Sequence, residues 1–146
     1  MIRLETVTPD NWRSGLRVGE DQKGFVADSA GILARAWAYR DHGSRAFIIC
    51  NDDTPVGMAM YHGDTEEANA CVFDQFFIDY RFQGRGFGLE AARLVLALMM
   101  EEGRFEKVYL CYIEGDAAAK NLYEKLGFHE TGFVEEGEVE MEKQLR

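Results

Sequence analysis

A glycine-rich segment, Q-G-R-G-F-G at residues 83–88, constrains the fold of this chain more than any other feature. It joins an apolar, strand-like run at residues 72–79 to an amphipathic, helix-like run at residues 89–102. Its glycines allow left-handed backbone conformations and leave consecutive N–H groups unobstructed by side chains. The helix behind it adds unpaired first-turn N–H groups and the positive end of its dipole. The segment therefore predicts a strand–loop–helix unit that binds a pyrophosphate.

Three kinds of phosphate-binding loop have this general form, and residue spacing separates them. A Walker A loop is excluded because no Gly-Lys pair is followed by Ser or Thr. Gly86, Gly88 and Ala91 fit the dinucleotide pattern G-x-G-x-x-A, but residues 80–85 separate Gly86 from the strand. Too few residues also follow the loop for a doubly wound domain. The acyl-CoA pattern Q/R-x-x-G-x-G/A is satisfied by Gln83, Gly86 and Gly88.

The chain resembles the GNAT acetyltransferase superfamily over residues 2–143, because the glycine-rich loop occurs together with a second motif of that family. D-Q-F-F-I-D-Y-R-F-Q-G-R-G-F-G at residues 74–88 and N-L-Y-E-K-L-G-F at residues 121–128 carry the resemblance. P-V-G-M-A-M-Y at residues 55–61 and D-Q-F-F-I-D at residues 74–79 look most like the bacterial spermine/spermidine acetyltransferases. The resemblance implies one GNAT-type domain over residues 1–146. Its fold class would be α/β, with a mixed, mostly antiparallel central sheet, strands splayed around the acyl-CoA site, and helices on both faces.

Residue patterns along the chain predict individual elements compatible with this fold. Strands are expected at residues 3–7, 46–50, 56–61, 72–78, 108–113, 130–136 and 139–143. Helices are expected at residues 12–18, 28–39, 89–102 and 116–125, the first of them capped by T-P-D at residues 8–10.

Composition restricts the class of partner. The 146 residues include 26 acidic and 16 basic side chains, a net charge of −10, which argues against nucleic acid and suits a cationic ligand. The first five residues lack a signal-peptide pattern and no apolar run approaches the roughly 20 residues that span a bilayer, so we expect a cytoplasmic protein without a membrane partner. Three cysteines without C-x-x-C spacing are expected to be buried free thiols. The three histidines show no ligand spacing, and no metal is expected.

The resemblance implies acetyl-CoA as co-substrate and assigns the residues that bind it. Backbone groups of Phe77 and Ile78 would hold the pantetheine amides in the manner of an added strand. Asp116 takes a position where the superfamily commonly has Asn, and it keeps a capping oxygen but lacks the amide donor. The complete set of expected cofactor-binding residues is Phe76, Phe77, Ile78, Gln83, Gly84, Arg85, Gly86, Phe87, Gly88, Leu89, Asp116 and Tyr123.

Two residues are candidates for catalysis. An alkylamine is protonated at pH 7, and removing its proton costs roughly 4.6 kcal/mol, so a base or a water relay is needed. Asp74, expected on the same strand face as Phe76, matches a carboxylate position of the polyamine acetyltransferases and would bind the amine and act as base through water. Tyr123 takes the position at which the superfamily's tyrosine reaches the cofactor sulfur, and would protonate the leaving thiolate.

Carboxylates in segments that line the acceptor side in this superfamily would bind the other ammonium groups of a polyamine. These residues, together with Asp74, are Glu20, Asp21, Glu135 and Glu136. The expected activity is acetyl-CoA-dependent acetylation of a primary amine, with spermidine or spermine preferred, by direct attack in a ternary complex. The alternatives are an aminoglycoside, an amino acid or a protein N-terminus as acceptor, or a non-catalytic acyl-CoA-binding module. Assembly of the chain into a homodimer is a further alternative.

Overall fold

The computed structural model describes residues 1–20 and 27–146, and these form one seven-stranded sheet with helices on both faces. The strands are β1 Ile2–Thr6, β2 Arg45–Asn51, β3 Thr54–Gly63, β4 Ala70–Ile78, β5 Lys107–Ile113, β6 His129–Glu135 and β7 Glu138–Gln144. The helices are α1 Ser29–Ala38, α2 Phe87–Glu102 and α3 Ala117–Lys125, with single 3₁₀ turns at Arg40–His42 and Tyr80–Phe82. The strand order is β1-β2-β3-β4-β5-β7-β6, and among the neighbouring pairs of these described strands only β4 and β5 run parallel.

Side-chain alternation along the central strands builds a separate core on each face of the sheet. On β2, Phe47 and Ile49 belong to the core that α2 covers, whereas Ile48 and Cys50 belong to the core that α1 covers. Helix α3 packs on the α2 side through Leu122 and Tyr123. Both faces are therefore buried, which confirms the α/β fold class and the expected position of helices on both faces.

Strands β4 and β5 separate part-way along their length. Their parallel ladder pairs Ala70 with Lys107 and ends at Val72 opposite Tyr109. Beyond that point β4 continues to Ile78 and β5 to Ile113, each still paired with its other neighbour. The sheet is therefore open between the C-terminal halves of β4 and β5, which confirms the splayed strands expected from the sequence.

The helix predicted at residues 12–18 is wrong. Residues 8–12 form a turn, in which the Trp12 N–H donates to the Thr8 carbonyl at 3.2 Å, and the chain is then irregular through residue 18. Gly15 has φ +70°, a left-handed conformation that interrupts a right-handed helix. The Arg17 N–H, which a helix would pair internally, donates to the buried Asp79 carboxylate at 2.9 Å instead. Leu16 and Val18, in this irregular segment, then fill the core on the α1 side.

The expectation that Asp74 and Phe76 share a strand face is also wrong. The register places Met60 opposite Gln75 and Tyr61 opposite Phe73, so that Asp74 is the extra residue of a β-bulge. Alternation changes phase at the bulge. Phe76 packs against Phe73 on the α2 side, with ring centroids 5.3 Å apart. Asp74 lies on the α1 side, where it contacts Arg35.

Candidate active site

The glycine-rich loop takes the left-handed conformations that its sequence predicts. Gly84 and Gly86 have φ +79° and +80°, and no described atom lies within 4 Å of the Cβ that either would carry. Gly86 is the N-cap residue of α2, which begins at Phe87. A Cβ on Gly88 would make an ordinary van der Waals contact with Ile78 of β4, 3.7 Å from its Cγ1. An open, side-chain-free cradle at the N-terminus of a helix of 16 residues suits a pyrophosphate.

Polar residues around the loop fix its connection to β4. The Gln83 amide donates to the Ile78 carbonyl at 3.0 Å, which ties the loop to the end of the strand. Arg81 pairs with Asp79 at 2.8 Å, and this guanidinium holds the pKa of the buried Asp79 down at about 2. The Arg85 guanidinium lies over the Phe82 ring at 5.8 Å. Gln83 and Asp79 thus maintain the loop's shape, while Arg85 stays beside the glycines.

A cavity of about 610 Å³ lies where β4 and β5 separate, and its lining comes from both faces of the sheet. Phe73, Phe76 and Tyr123 belong to the α2 side, whereas Arg35 and Asp74 belong to the α1 side. Asp116 lines the same cavity. The structure therefore brings together four residues predicted from the sequence, namely Asp74, Phe76, Asp116 and Tyr123.

Tyr123 is a half-buried residue of α3 with its ring against Phe128, 5.9 Å between centroids. Burial, and to a smaller extent the Asp116 carboxylate, raise the pKa of Tyr123 well above its ordinary value near 10. The hydroxyl consequently keeps its proton throughout the neutral range. Within residues 1–20 and 27–146 it makes no hydrogen bond to protein, so its O–H is available to a ligand in the cavity.

The Asp74 carboxylate is held by cationic partners that the sequence did not reveal. Its Oδ2 accepts from Arg35 Nη2 at 2.7 Å and Nε at 3.1 Å, and lies 3.2 Å from His62 Nε2. Burial opposes ionisation, but the bonds from His62 and Arg35 outweigh it and lower the pKa of Asp74. A carboxylate with a lowered pKa is a weak base, so the geometry favours amine binding over proton abstraction.

Arg35 and His62 gave no signal in the sequence, because the three residues come from α1, β3 and β4 and share no spacing pattern. Asp116 behaves as expected of a capping residue, since its carboxylate accepts from the Ala119 N–H at 3.0 Å. Phe77 and Ile78 lie on the part of β4 beyond its ladder with β5, where an added strand could pair.

The acidic residues around the cavity differ from those expected. Glu135 and Glu136 are exposed and do not line it, Glu20 is exposed, and Asp21 lies outside the described residues. The turn at residues 136–137 places Glu138 and Glu140 opposite Ile113 and Cys111 of β5, on the side that faces the cavity. The acidic residues in the lining are Asp64, Glu66, Glu67, Asp74, Asp116, Glu138 and Glu140. Period-2 alternation counted from the turn would have selected Glu138 and Glu140.

Cys111 corrects the expectation of three buried thiols. Cys50 and Cys71 are buried, but Cys111 is exposed and lines the cavity. Desolvation by the surrounding cavity wall, with Glu138, Glu140 and Asp74 nearby, raises the pKa of the Cys111 thiol to about 11. At pH 7 only about one such thiol in ten thousand is ionised. A nucleophilic thiolate is therefore almost absent from this cavity.

No helix in the described part of the chain is both long and apolar enough to cross a membrane. Nor do residues 1–20 and 27–146 contain a group of three or more His, Cys, Asp or Glu side chains placed to hold a metal ion.

Comparison with known proteins places this geometry among acetyltransferases. The sequence profile of the acetyltransferase (GNAT) family matches residues 9–128. A spermine/spermidine N(1)-acetyltransferase of Bacillus subtilis is 29% identical over 152 aligned positions, which cover 99% of each chain. The spermidine N-acetyltransferase of Vibrio cholerae, solved with CoA and spermine, is similar with a TM-score of 0.77 at 17% identity, over 99% of this chain and 95% of that one. The ribosomal-protein-S18-alanine N-acetyltransferase of Escherichia coli is similar with a TM-score of 0.76 at 14% identity, over 99% and 94%.

Proposed function

Because the chain belongs to the acetyltransferase (GNAT) family and is an acetyl-CoA-dependent amine N-acetyltransferase, we propose that its acceptor is a polyamine such as spermidine or spermine. We further propose that the amine attacks the thioester directly, in a ternary complex. The acidic lining of the cavity is the observation that carries the first proposal. The environment of Cys111 carries the second.

The open cradle and the parted strands fit acetyl-CoA, which supplies the acetyl group as an activated thioester. Backbone N–H groups of residues 84–88 and the first turn of α2 would hold the pyrophosphate, with Gln83, Arg85, Phe87 and Leu89 around it. The edge of β4 at Phe77 and Ile78 would pair with the pantetheine arm. The Tyr123 hydroxyl, kept protonated by its raised pKa, would donate to the thiolate sulfur.

The acceptor proposal depends on how the carboxylates in the lining are already used. Glu67 is bound by Lys107 at 3.1 Å and by the Tyr109 hydroxyl at 2.8 Å, and Asp64 accepts from two backbone N–H groups. Glu140 accepts only a neutral Thr131 hydroxyl among the described residues. Glu138 and Glu140 therefore retain most of their negative charge toward the cavity, and a chain with several ammonium groups can bind to both Asp74 and β7.

This proposal predicts a difference between polyamines and monoamines that two glutamates control. We expect Glu138→Gln and Glu140→Gln to lower kcat/KM for spermidine by about three- to tenfold each, because a partly exposed ion pair is worth roughly 1 kcal/mol. The kcat/KM for a simple monoamine should hardly change. The Debye length falls from about 10 Å at 0.1 M to about 3 Å at 1 M salt, so only the spermidine value should fall steeply with salt. Thiol release from acetyl-CoA measures both.

Glu101→Gln, the same charge change on the exposed side of α2, serves as the matched control and should affect neither acceptor. Glu135→Gln tests whether the acceptor binds to the residues expected from the sequence or to those that line the cavity. Glu135 lies on the same hairpin as Glu138 and Glu140 but outside the cavity lining, so its substitution should have little effect. Equal kcat/KM for spermidine and a monoamine, without a differential salt effect, would reject the polyamine. An aminoglycoside, an amino acid and a peptide with a free N-terminus complete the panel. No thiol release with any acceptor would favour a non-catalytic acyl-CoA-binding module.

Direct attack predicts that the thiol nearest the reaction is dispensable. We expect Cys111→Ser to keep kcat within about twofold of the parent, because a thiol with a pKa raised to about 11 supplies very little thiolate for an acyl-enzyme at neutral pH. Mass spectrometry of the enzyme incubated with acetyl-CoA alone should find no acetylated Cys111. An acetyl group on Cys111 that is transferred when amine is added, with parallel double-reciprocal plots, would establish the two-step mechanism instead.

A further inference from the structure

A buried histidine lies directly behind Asp74, on the side away from the cavity. His62, on β3, is 5% exposed and does not line the cavity. Its Nδ1 is 2.7 Å from the Gly63 carbonyl oxygen and its Nε2 is 3.2 Å from Asp74 Oδ2. His62 therefore cannot touch an acceptor, but it contacts the residue that faces one.

Both ring nitrogens of His62 face groups that only accept hydrogen bonds. A carbonyl oxygen cannot donate, so Nδ1 carries a proton. Asp74 Oδ2 receives two bonds from the Arg35 guanidinium and stays ionised, so Nε2 must donate as well. A neutral imidazole can satisfy only one of these contacts, whereas an imidazolium satisfies both. Burial alone would lower the pKa of His62, but the bonds to Asp74 and the Gly63 carbonyl outweigh it and raise that pKa.

Not every group packed around His62 favours a cation: the charge of Arg35 lowers the pKa of His62, but the bonds from the imidazole to Asp74 and Gly63 raise it by more. The Tyr39 ring, which follows α1, stacks on the imidazole at 4.1 Å with the planes 8° apart. The Arg35 guanidinium carbon lies 5.7 Å from the centroid of the same Tyr39 ring. The His42 ring, in the adjacent 3₁₀ turn, has its centroid 6.2 Å from that of Tyr39. These contacts bring four titratable or charged groups around the imidazole. They are Asp74 of β4, Arg35 of α1, Tyr39 at the end of α1, and His42.

The two oxygens of Asp74 are consequently used in different ways. Oδ2 has three nitrogen contacts, two from Arg35 and one from His62. Oδ1 has a single one among the described residues, a long bond of 3.3 Å from the Gln75 amide. The bulge places the carboxylate on the α1 side, where Arg35 and His62 hold Oδ2. Asp74 lines the cavity, and Oδ1 keeps the greater capacity to accept from a further donor.

We propose that His62 is a positioning residue for the acceptor amine: as an imidazolium it clamps Asp74 Oδ2 together with Arg35, and so fixes Oδ1 toward the ammonium group. This inference rests on the proposed amine acetylation. It makes Asp74 a fixed anion that binds and orients the acceptor. Loss of the His62 proton at alkaline pH removes one of the two cations and loosens the carboxylate.

The first test is an NMR titration of the His62 ring in the free protein, which requires neither acetyl-CoA nor an acceptor. We expect His62 to lose its proton above the ordinary value of about 6.5, and to do so at lower pH in Asp74→Asn, because the carboxylate that retains the proton has become an amide. A His62 titration that is the same in both proteins would overturn the clamp.

The second test separates positioning from structure by kinetics. His62→Phe keeps an aromatic ring against Tyr39 but removes both donors, and should raise the KM for spermidine by about tenfold, the effect of losing a charged hydrogen bond. The KM for acetyl-CoA should not change, since its cradle is elsewhere. His62→Gln retains one donor toward Asp74 and should recover part of the loss. His42→Phe, which alters the same aromatic cluster, should be neutral.

An unchanged KM for spermidine in a folded His62→Phe protein would overturn the proposal, as would an equal rise in both KM values. If the parent protein acetylates no amine, the proposed function fails. The NMR titration still decides whether His62 clamps Asp74, so the two failures are distinguishable.

Discussion

Tyr123→Phe is expected to lower kcat by about 10² to 10⁴ while leaving the fold intact, which is the range for loss of a positioned proton donor. Only the hydroxyl is removed, and the ring keeps its contact with Phe128. Burial and Asp116 raise the pKa of Tyr123, so the phenol donates a hydrogen bond to the departing thiolate without ionising itself. For the same reason kcat should show no loss from Tyr123 ionisation as pH rises to about 10. Thiol release over a pH series measures both effects.

Tyr112→Phe is the matched control for this prediction. Tyr112 also lines the cavity, but its hydroxyl already donates to Glu130 at 2.6 Å. Its removal should reduce thermal stability slightly and leave kcat nearly unchanged. If folded Tyr123→Phe retained the parental kcat under conditions where chemistry limits the rate, Tyr123 would be a packing residue and another group would have to protonate the thiolate.

Gly86→Val should weaken CoA binding by more than about tenfold, because a branched side chain would enter the space that a phosphate must approach. In the structure that space is open, with no atom of the described residues within 4 Å of the Cβ position of Gly86. Isothermal titration calorimetry with CoA measures the affinity directly and does not require an acceptor.

Gly137→Val separates this effect from backbone strain. Gly137 has the same φ of +80° and the same open surroundings, but it lies in the turn between β6 and β7. Both substitutions force valine into a left-handed conformation and should destabilise the protein by similar amounts. Only Gly86→Val should lose CoA. Equal CoA affinity in the two folded variants would show that the glycine-rich loop does not bind the phosphates.

Local motifs predicted those parts of the site whose structure depends on neighbours in sequence. Gly84 and Gly86 adopt the conformations that a phosphate loop requires, and α2 begins directly behind them. Asp116 caps α3, and Tyr123, seven residues further along that helix, reaches the cavity. Each of these features depends on glycine, helix-cap or helix-period rules that operate within a few residues.

The features that sequence analysis missed depend on contacts between distant segments. The bulge at Asp74 is visible only in the pairing of β4 with β3, and it reverses the faces assigned by simple alternation. Residues 12–18 have a helical composition, but Asp79, far along the chain, takes the Arg17 N–H. The cations on Asp74 come from α1 and β3. No short window of sequence contains any of these pairs.

The separation of β4 and β5 gives the candidate cavity a lining from both faces of the sheet. Tyr123 and the N-terminus of α2 belong to one face of the sheet, and Asp74 and Arg35 belong to the other. A nucleotide that enters from the α2 side and an amine that enters from the α1 side would meet where β4 and β5 separate, and neither would block the entry of the other. We expect such an enzyme to admit its two substrates in either order, and to discharge an acetylated amine while the spent thiol is still bound.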